Sequence, residues 1–294
     1  MISVDLDSFQ NFLLNFFVQI STVIFLLFVA TKVREYITQF NDRELIGSGN
    51  RAIAFSNGGY YIAITLILGS SLFGESFGVM HDFVAIVSIT LVGIVLLTIN
   101  RFIVNRIYLK EFNAEFEIES ENIAFATLQA GGFISMAIVL FFSFYNFEFT
   151  VDLLIVALFY FFLTQFALYF VSKLLFLVTP YDDIKELKRG NMAVALNFFG
   201  AMIALSLLFG NSVREVLLID ANTVAILLLY YTLSTLFILY IPTLITSLIV
   251  SLNKKVDEAI EEGNVAIATT EMMVRIIVAV VVIATIPLNI FIVF

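Results

Sequence analysis

The chain has no cysteine, no tryptophan, one histidine and three prolines in 294 residues. Without cysteine there is no disulfide framework, no thiolate metal site and no cysteine nucleophile. A lone His81, placed in a short loop beside Asp82, cannot supply a His-Glu-x-x-His metal site. No phosphate-cradling glycine loop and no Gly-x-Ser-x-Gly nucleophile elbow occurs either. An enzyme is therefore the least expected class, and no cofactor and no metal site are expected. Charge is scarce: 13% of residues are charged and 61% hydrophobic, whereas an average soluble domain is about one quarter charged. The net charge of −9 says little about nucleic acid, but no basic patch large enough to bind it is visible, so no nucleic-acid partner is expected. Met1 to Gln10 carries Asp5 and Asp7 and no basic residue, so no secretory signal peptide is expected.

The apolar residues fall in blocks long enough to cross a hydrocarbon core of ~30 Å at 1.5 Å per helical residue. The blocks lack the two-residue alternation of barrel strands. They predict an all-α integral membrane protein with about eight transmembrane helices: Phe9 to Thr31, Arg51 to Phe73, Phe83 to Val104, Ile123 to Phe144, Val151 to Leu177, Met192 to Phe209, Thr223 to Leu252 and Val265 to Ile286. A last apolar stretch, Asn289 to Phe294, extends the final helix or lies at the interface. Pro242 falls inside the seventh span and is expected to kink it. Connectors after odd-numbered spans are long and charged, and those after even-numbered spans are short. Of the 15 Lys and Arg, all but Arg214 and Arg275 lie in or beside the long connectors. The positive-inside rule then puts the long connectors in the cytoplasm and both termini outside.

Each even span opens with Asn-x-Ala-x-Ala, at Asn50, Asn122, Asn191 and Asn264, spaced 72, 69 and 73 residues apart. An aliphatic residue stands four positions earlier (Ile46, Ile118, Leu187, Ile260). The residue just before the Asn is Gly49, Glu121, Gly190 or Gly263. Nine positions after it come Gly59, Gly131 and Gly200, with Met273 in the fourth copy. The pattern predicts four tandem two-helix units, at residues 1–80, 81–150, 151–218 and 219–294, within one membrane domain. Each unit has an even number of spans, so all four are parallel, as a pseudo-fourfold ring or as two pseudo-twofold halves.

This arrangement resembles the bacterial domain-of-unknown-function family numbered 350, the YjfL-like inner-membrane proteins, in doubled form over nearly the whole chain. Glu121 and Met273 depart from its glycines. The resemblance implies a multi-pass protein of the bacterial inner membrane. It carries no established activity, and the family's gene neighbourhoods hint at envelope maintenance.

The four Asn residues suit helix N-caps, because a side-chain oxygen there accepts an unpaired N–H of the first turn. The other reading is a polar ring at a cytoplasmic mouth. At 100° per residue, Ala52 with Gly59, Ala124 with Gly131, and Ala193 with Gly200 share faces within ~20°, which predicts close helix packing. A second face carries Asn57, Gln129, Phe198 and Glu271 at the +7 position (counting the motif Asn as 0), and Arg275 one turn beyond Glu271. Polar groups at that depth face protein or water. Asn57, Gln129, Glu271 and Arg275 are thus a candidate intramembrane polar site, and Glu271 with Arg275 is either a structural ion pair or an ion site. Glu115, Glu117, Glu119 and Glu121 form an alternating acidic run, expected to be a solvated connector. Two functions fit: a membrane scaffold acting through cytoplasmic protein partners of its charged connectors, or an ion or small-solute channel or transporter using the polar stripe. The lipid bilayer is a partner in either, and a homo-oligomer is open.

Overall fold

The structure, a computed structural model, describes residues 6–38, 41–73, 78–108, 110–145, 151–213, 221–250 and 254–285. Arg214 and Asn289 to Phe294 lie outside them. Among the described residues all regular structure is helical: α1 (Leu6–Ile37), α2 (Asp42–Gly47), α3 (Arg51–Leu72), α4 (Val79–Ile103), α5 (Ala114–Glu119), α6 (Ile123–Phe144), α7 (Val151–Val178), α8 (Asp183–Lys188), α9 (Met192–Val213), α10 (Ala221–Val250), α11 (Val256–Glu261) and α12 (Val265–Thr285). Seven of these are long and apolar enough to cross a membrane. In α7 the described apolar stretch, Phe161–Leu175, is shorter. The chain is a membrane protein on these helices. His81 and Asp82, expected in a loop, fall in the first turns of α4, and α10 runs through Pro242.

The even-numbered spans are α3, α6, α9 and α12, and they pack in series. The largest interhelical contacts are α3 with α6, α6 with α9, and α9 with α12. No comparable contact joins α12 back to α3, so the series is an open arc and not a closed ring. It curves round an apolar groove of about 420 Å³ walled by Phe55, Gly58, Ala130, Phe199 and Met272. The odd spans lie against its seams: α4 touches α3 and α6, α7 touches α6 and α9, and α10 touches α9 and α12.

Glycine sets the spacing of the arc. A Cβ on Gly59 would fall on Ala130, 2.5 Å from its Cα. One on Gly200 would lie 2.8 Å from the Met272 Cα, and one on Gly131 would lie 3.0 Å from the Phe199 ring. Where lipid removes the hydrophobic gain of packing, such close approach maximises dispersion contacts between helices.

The long connectors are not simply solvated loops. Each holds a short helix, α2, α5, α8 or α11, of six residues. Three of these start at side-chain caps, Asn41, Asn113 and Asp182. All four end in the same turn. The N–H of the motif Asn returns to the carbonyl five residues back, from Asn50 to Leu45, Asn122 to Glu117, Asn191 to Glu186 and Asn264 to Ala259. That turn needs a left-handed residue just before the Asn. Gly49, Gly190 and Gly263 supply it at φ of 89°, 79° and 86°. Glu121 adopts it too, at φ 59°, without glycine's freedom.

Candidate functional site

All four motif Asn residues cap their own helices, and three of them also reach outward. In each the Oδ1 accepts a first-turn N–H of its own helix: Asn50 from Ile53 at 3.1 Å, Asn122 from Phe125 at 3.0 Å, Asn191 from Ala193 at 3.0 Å and Asn264 from Ile267 at 3.2 Å. In Asn50, Asn122 and Asn191 the Nδ2 also reaches forward to the next short connector helix. Asn50 donates to the Ile118 carbonyl at 2.8 Å, Asn122 to Leu187 at 3.0 Å, and Asn191 to Ile260 at 3.2 Å and Glu261 at 2.9 Å. Asn50, Asn122 and Asn191 therefore tie α3 to α5, α6 to α8 and α9 to α11. Two carboxylates of the connectors serve the same ties. Glu117 accepts from Asn122 at 2.6 Å and Glu186 from Asn191 at 3.3 Å, and both are buried. The expectation of a solvated acidic run fails at Glu117 because this amide needs an acceptor inside the joint.

The +7 positions lie at separate joints. Between α3 and α6, the Ser56 hydroxyl donates to Gln129 Oε1. Gln129 Nε2 donates to Asn105 Oδ1 at 3.5 Å, from a π-helical turn (Val104–Tyr108) that continues α4. The buried Arg34 of α1 closes this cluster. Its Nη2 donates to Ser56 at 3.0 Å, its Nε lies 3.5 Å from Asp42 of α2, and its guanidinium stands over the rings of Tyr60 (5.0 Å) and Phe133 (5.6 Å). Asn57 is also buried, and its Oδ1 accepts from no described residue. Phe198, at the same position of α9, is buried, and there the stripe is apolar.

In the second half the polar cluster is built at the joint of α9 and α12. Arg275 Nη2 donates to Glu271 Oε1 at 2.7 Å and its Nη1 to the Asn197 carbonyl at 3.3 Å. The Thr243 hydroxyl of α10 donates to the same Glu271 oxygen at 2.6 Å. Both charged side chains are buried. A guanidinium thus occupies the corresponding joint in both halves, supplied by α1 in the first and by α12 itself in the second. Asp183 stands eight residues before Asn191, as Asp42 stands before Asn50, but its described partner is the Thr179 hydroxyl. Burial pushes the Asp183 carboxyl up to about 7, and burial next to Glu271 also raises Asp257. The Tyr181 hydroxyl is raised by burial and by Asp183.

A cavity of about 510 Å³ opens beside this cluster, between α9, α10, α11 and α12, with Asn197, Thr243, Lys255, Asp257, Glu271 and Arg275 in its wall. Glu271 Oε2, Arg275 Nε and Asn197 Oδ1 are buried with no partner among the described residues. Among those residues no group of three or more His, Cys, Asp or Glu stands close enough to hold a metal ion.

Domain of Unknown Function (DUF350) matches the chain twice, over residues 7–144 and 149–286. The chain belongs to this family in doubled form. No curated protein and no solved structure matches it. The two DUF350 segments each contain one polar joint, with Ser56 and Gln129 in the first and Asn197, Glu271 and Arg275 in the second. The two segments meet where α6 packs on α9, and the +7 residue of α9 is the buried, apolar Phe198.

The sequence gives little sign of the roles of Arg34, Ser56, Asp42 and Asn197. Arg34 reads as one more connector charge. The one available signal is the acid eight residues before the motif Asn, at Asp42 and again at Asp183.

Proposed function

We propose that this doubled DUF350 protein is a non-enzymatic membrane scaffold, built from four parallel two-helix repeats in eight spans of the bacterial inner membrane. Both termini lie outside, and the charged connectors face the cytoplasm, where they engage protein partners in envelope maintenance. The observation that carries this reading is the placement of the polar stripe. Gln129 and Glu271 bond at different joints, Phe198 is buried, glycines bring neighbouring helices into close contact, and the groove that the arc curves round is apolar. Purified protein in liposomes tests it. The scaffold reading expects ion and small-solute flux no greater than in protein-free liposomes. Flux that Glu271→Gln abolishes overturns it.

A second reading is favoured by the cavity of about 510 Å³ beside Glu271 and Arg275. Three buried polar atoms without a partner among the described residues are costly unless water, an ion or a polar solute meets them. In that reading the second half binds a small charged solute or ion from the connector side.

A further inference from the structure

The three joints of the arc are built alike, and each end of the arc presents one unused half of such a joint. At every internal joint the Asn amide of one unit reaches the carbonyl four residues before the next unit's Asn. The side chains at that carbonyl position are covered in consequence: Ile118 is 1% exposed, and Leu187 and Ile260 are 0%. Ile46, the same position in the first unit, receives no side-chain amide among the described residues and is 47% exposed. At the other end Asn264 is exposed, and its amide donates to no described residue.

The helix faces repeat this. Gly59, Gly131 and Gly200, with Ala63, Ser135 and Ala204 one turn further on, are all buried against the following helix. Their counterparts on α12 are Met273, 55% exposed, and Ile277, 60% exposed. Lipid would account for bare apolar side chains inside a span. It does not account for Ile46, which lies outside the spans, nor for a reversal of size. At internal joints the small residue at +9 faces the residue at +8 of the next helix: Gly59 on Ala130, Gly131 on Phe199, Gly200 on Met272. At the two open edges the larger residue, Met273, stands at +9. The glycine stands at +8, where a Cβ on Gly58 would meet nothing within 4 Å. At two of the three internal joints, and at the proposed one, a large residue meets a glycine, so the volume stays matched there.

We propose that the α12 edge of one copy docks on the α2–α3 edge of a second copy of this chain, with Met273 seated on Gly58 and the Asn264 amide on the Ile46 carbonyl. The contact is head-to-tail, so each copy offers one edge of each kind and the assembly extends to a ring or an open row. Because the internal joints relate units of the same orientation, the added copy keeps the same orientation in the membrane. The inference does not depend on the scaffold reading.

Two single-cysteine chains test it, since the native chain has no cysteine. Ile46→Cys with one affinity tag and Asn264→Cys with another are co-expressed and treated in membranes with a short bis-maleimide. The expected product is an adduct carrying both tags. A chain bearing both cysteines is expected to give a ladder of dimers and higher species. Gly58→Leu, whose added side chain enters open space within one copy, should cut the adduct about tenfold, equivalent to ~1.4 kcal/mol. Adding Met273→Gly should restore it. Four outcomes overturn the proposal: no adduct, adducts joining only like cysteines, linkage of the doubly substituted chain only within itself, or no effect of Gly58→Leu.

Discussion

The side-chain amide of Asn122 donates to the Leu187 carbonyl at 3.0 Å, across 65 residues of chain, while its Oδ1 caps its own helix at the Phe125 N–H. One residue thus starts a span and fixes that span to its neighbour. The two roles separate by substitution. Asn122→Asp keeps the capping oxygen but loses the donor, and it sets a carboxylate against Leu187 O and Glu117. It should lower stability by ~1–3 kcal/mol, read as a drop in unfolding midpoint in detergent. Asn264→Asp, which loses no bond to a described residue, should leave the midpoint unchanged.

Glu121 holds a left-handed conformation that Gly49, Gly190 and Gly263 hold without strain. Glu121→Gly removes a cost of ~1–2 kcal/mol, partly offset by a more flexible unfolded chain. The expected outcome is a net stabilisation of about 1 kcal/mol in a denaturant titration. Gly190→Ala, the converse change, should destabilise.

Glu271 and Arg275 are buried and bonded to one another at 2.7 Å. Removing one partner strands the other charge, so Arg275→Met alone should cost ~3–5 kcal/mol. The double change Glu271→Gln with Arg275→Met should cost less than the single one. A thermal unfolding series of the singles and the double measures that coupling.

In the folded chain Asp183 keeps its proton up to about pH 7, whereas unfolded aspartate loses it near ~4. The folded state therefore holds more protons between those values. Its contribution to stability is full below about pH 4 and fades as pH rises through 7. Asp183→Asn should flatten that part of the stability profile measured from pH 4 to 8.

Legibility in the sequence followed length and repetition. The long apolar helices and the recurring Asn-x-Ala-x-Ala stand out because each is a strong signal repeated along the chain. The helices α2, α5, α8 and α11 do not. Six residues are too few to show a period, and such helices gain their stability from docking one aliphatic side chain, such as Ile118 or Ile260. The forward reach of the Asn amides is invisible for a related reason: their partner is a backbone carbonyl, which any residue carries. Glu117 and Glu186 look like solvated charges because composition does not show that an amide waits for them. Arg34 lies at the end of an apolar span, where a basic residue ordinarily marks the membrane surface. Its burial against Asp42 and Ser56 depends on how α1 docks.

The scaffold reading requires that the polar stripe line no continuous water path through the bundle, although Asn57 and Glu271 each keep a buried oxygen without a partner among the described residues. Single cysteines at Asn57, Gln129 and Phe198, probed in membranes with an impermeant thiol reagent, test it most directly, with exposed Glu119 and Lys188 as connector controls. The account predicts rapid labelling of the controls and none at the three stripe positions. Labelling of the stripe at rates near those of the controls would contradict it and would establish a water-filled path through the bundle.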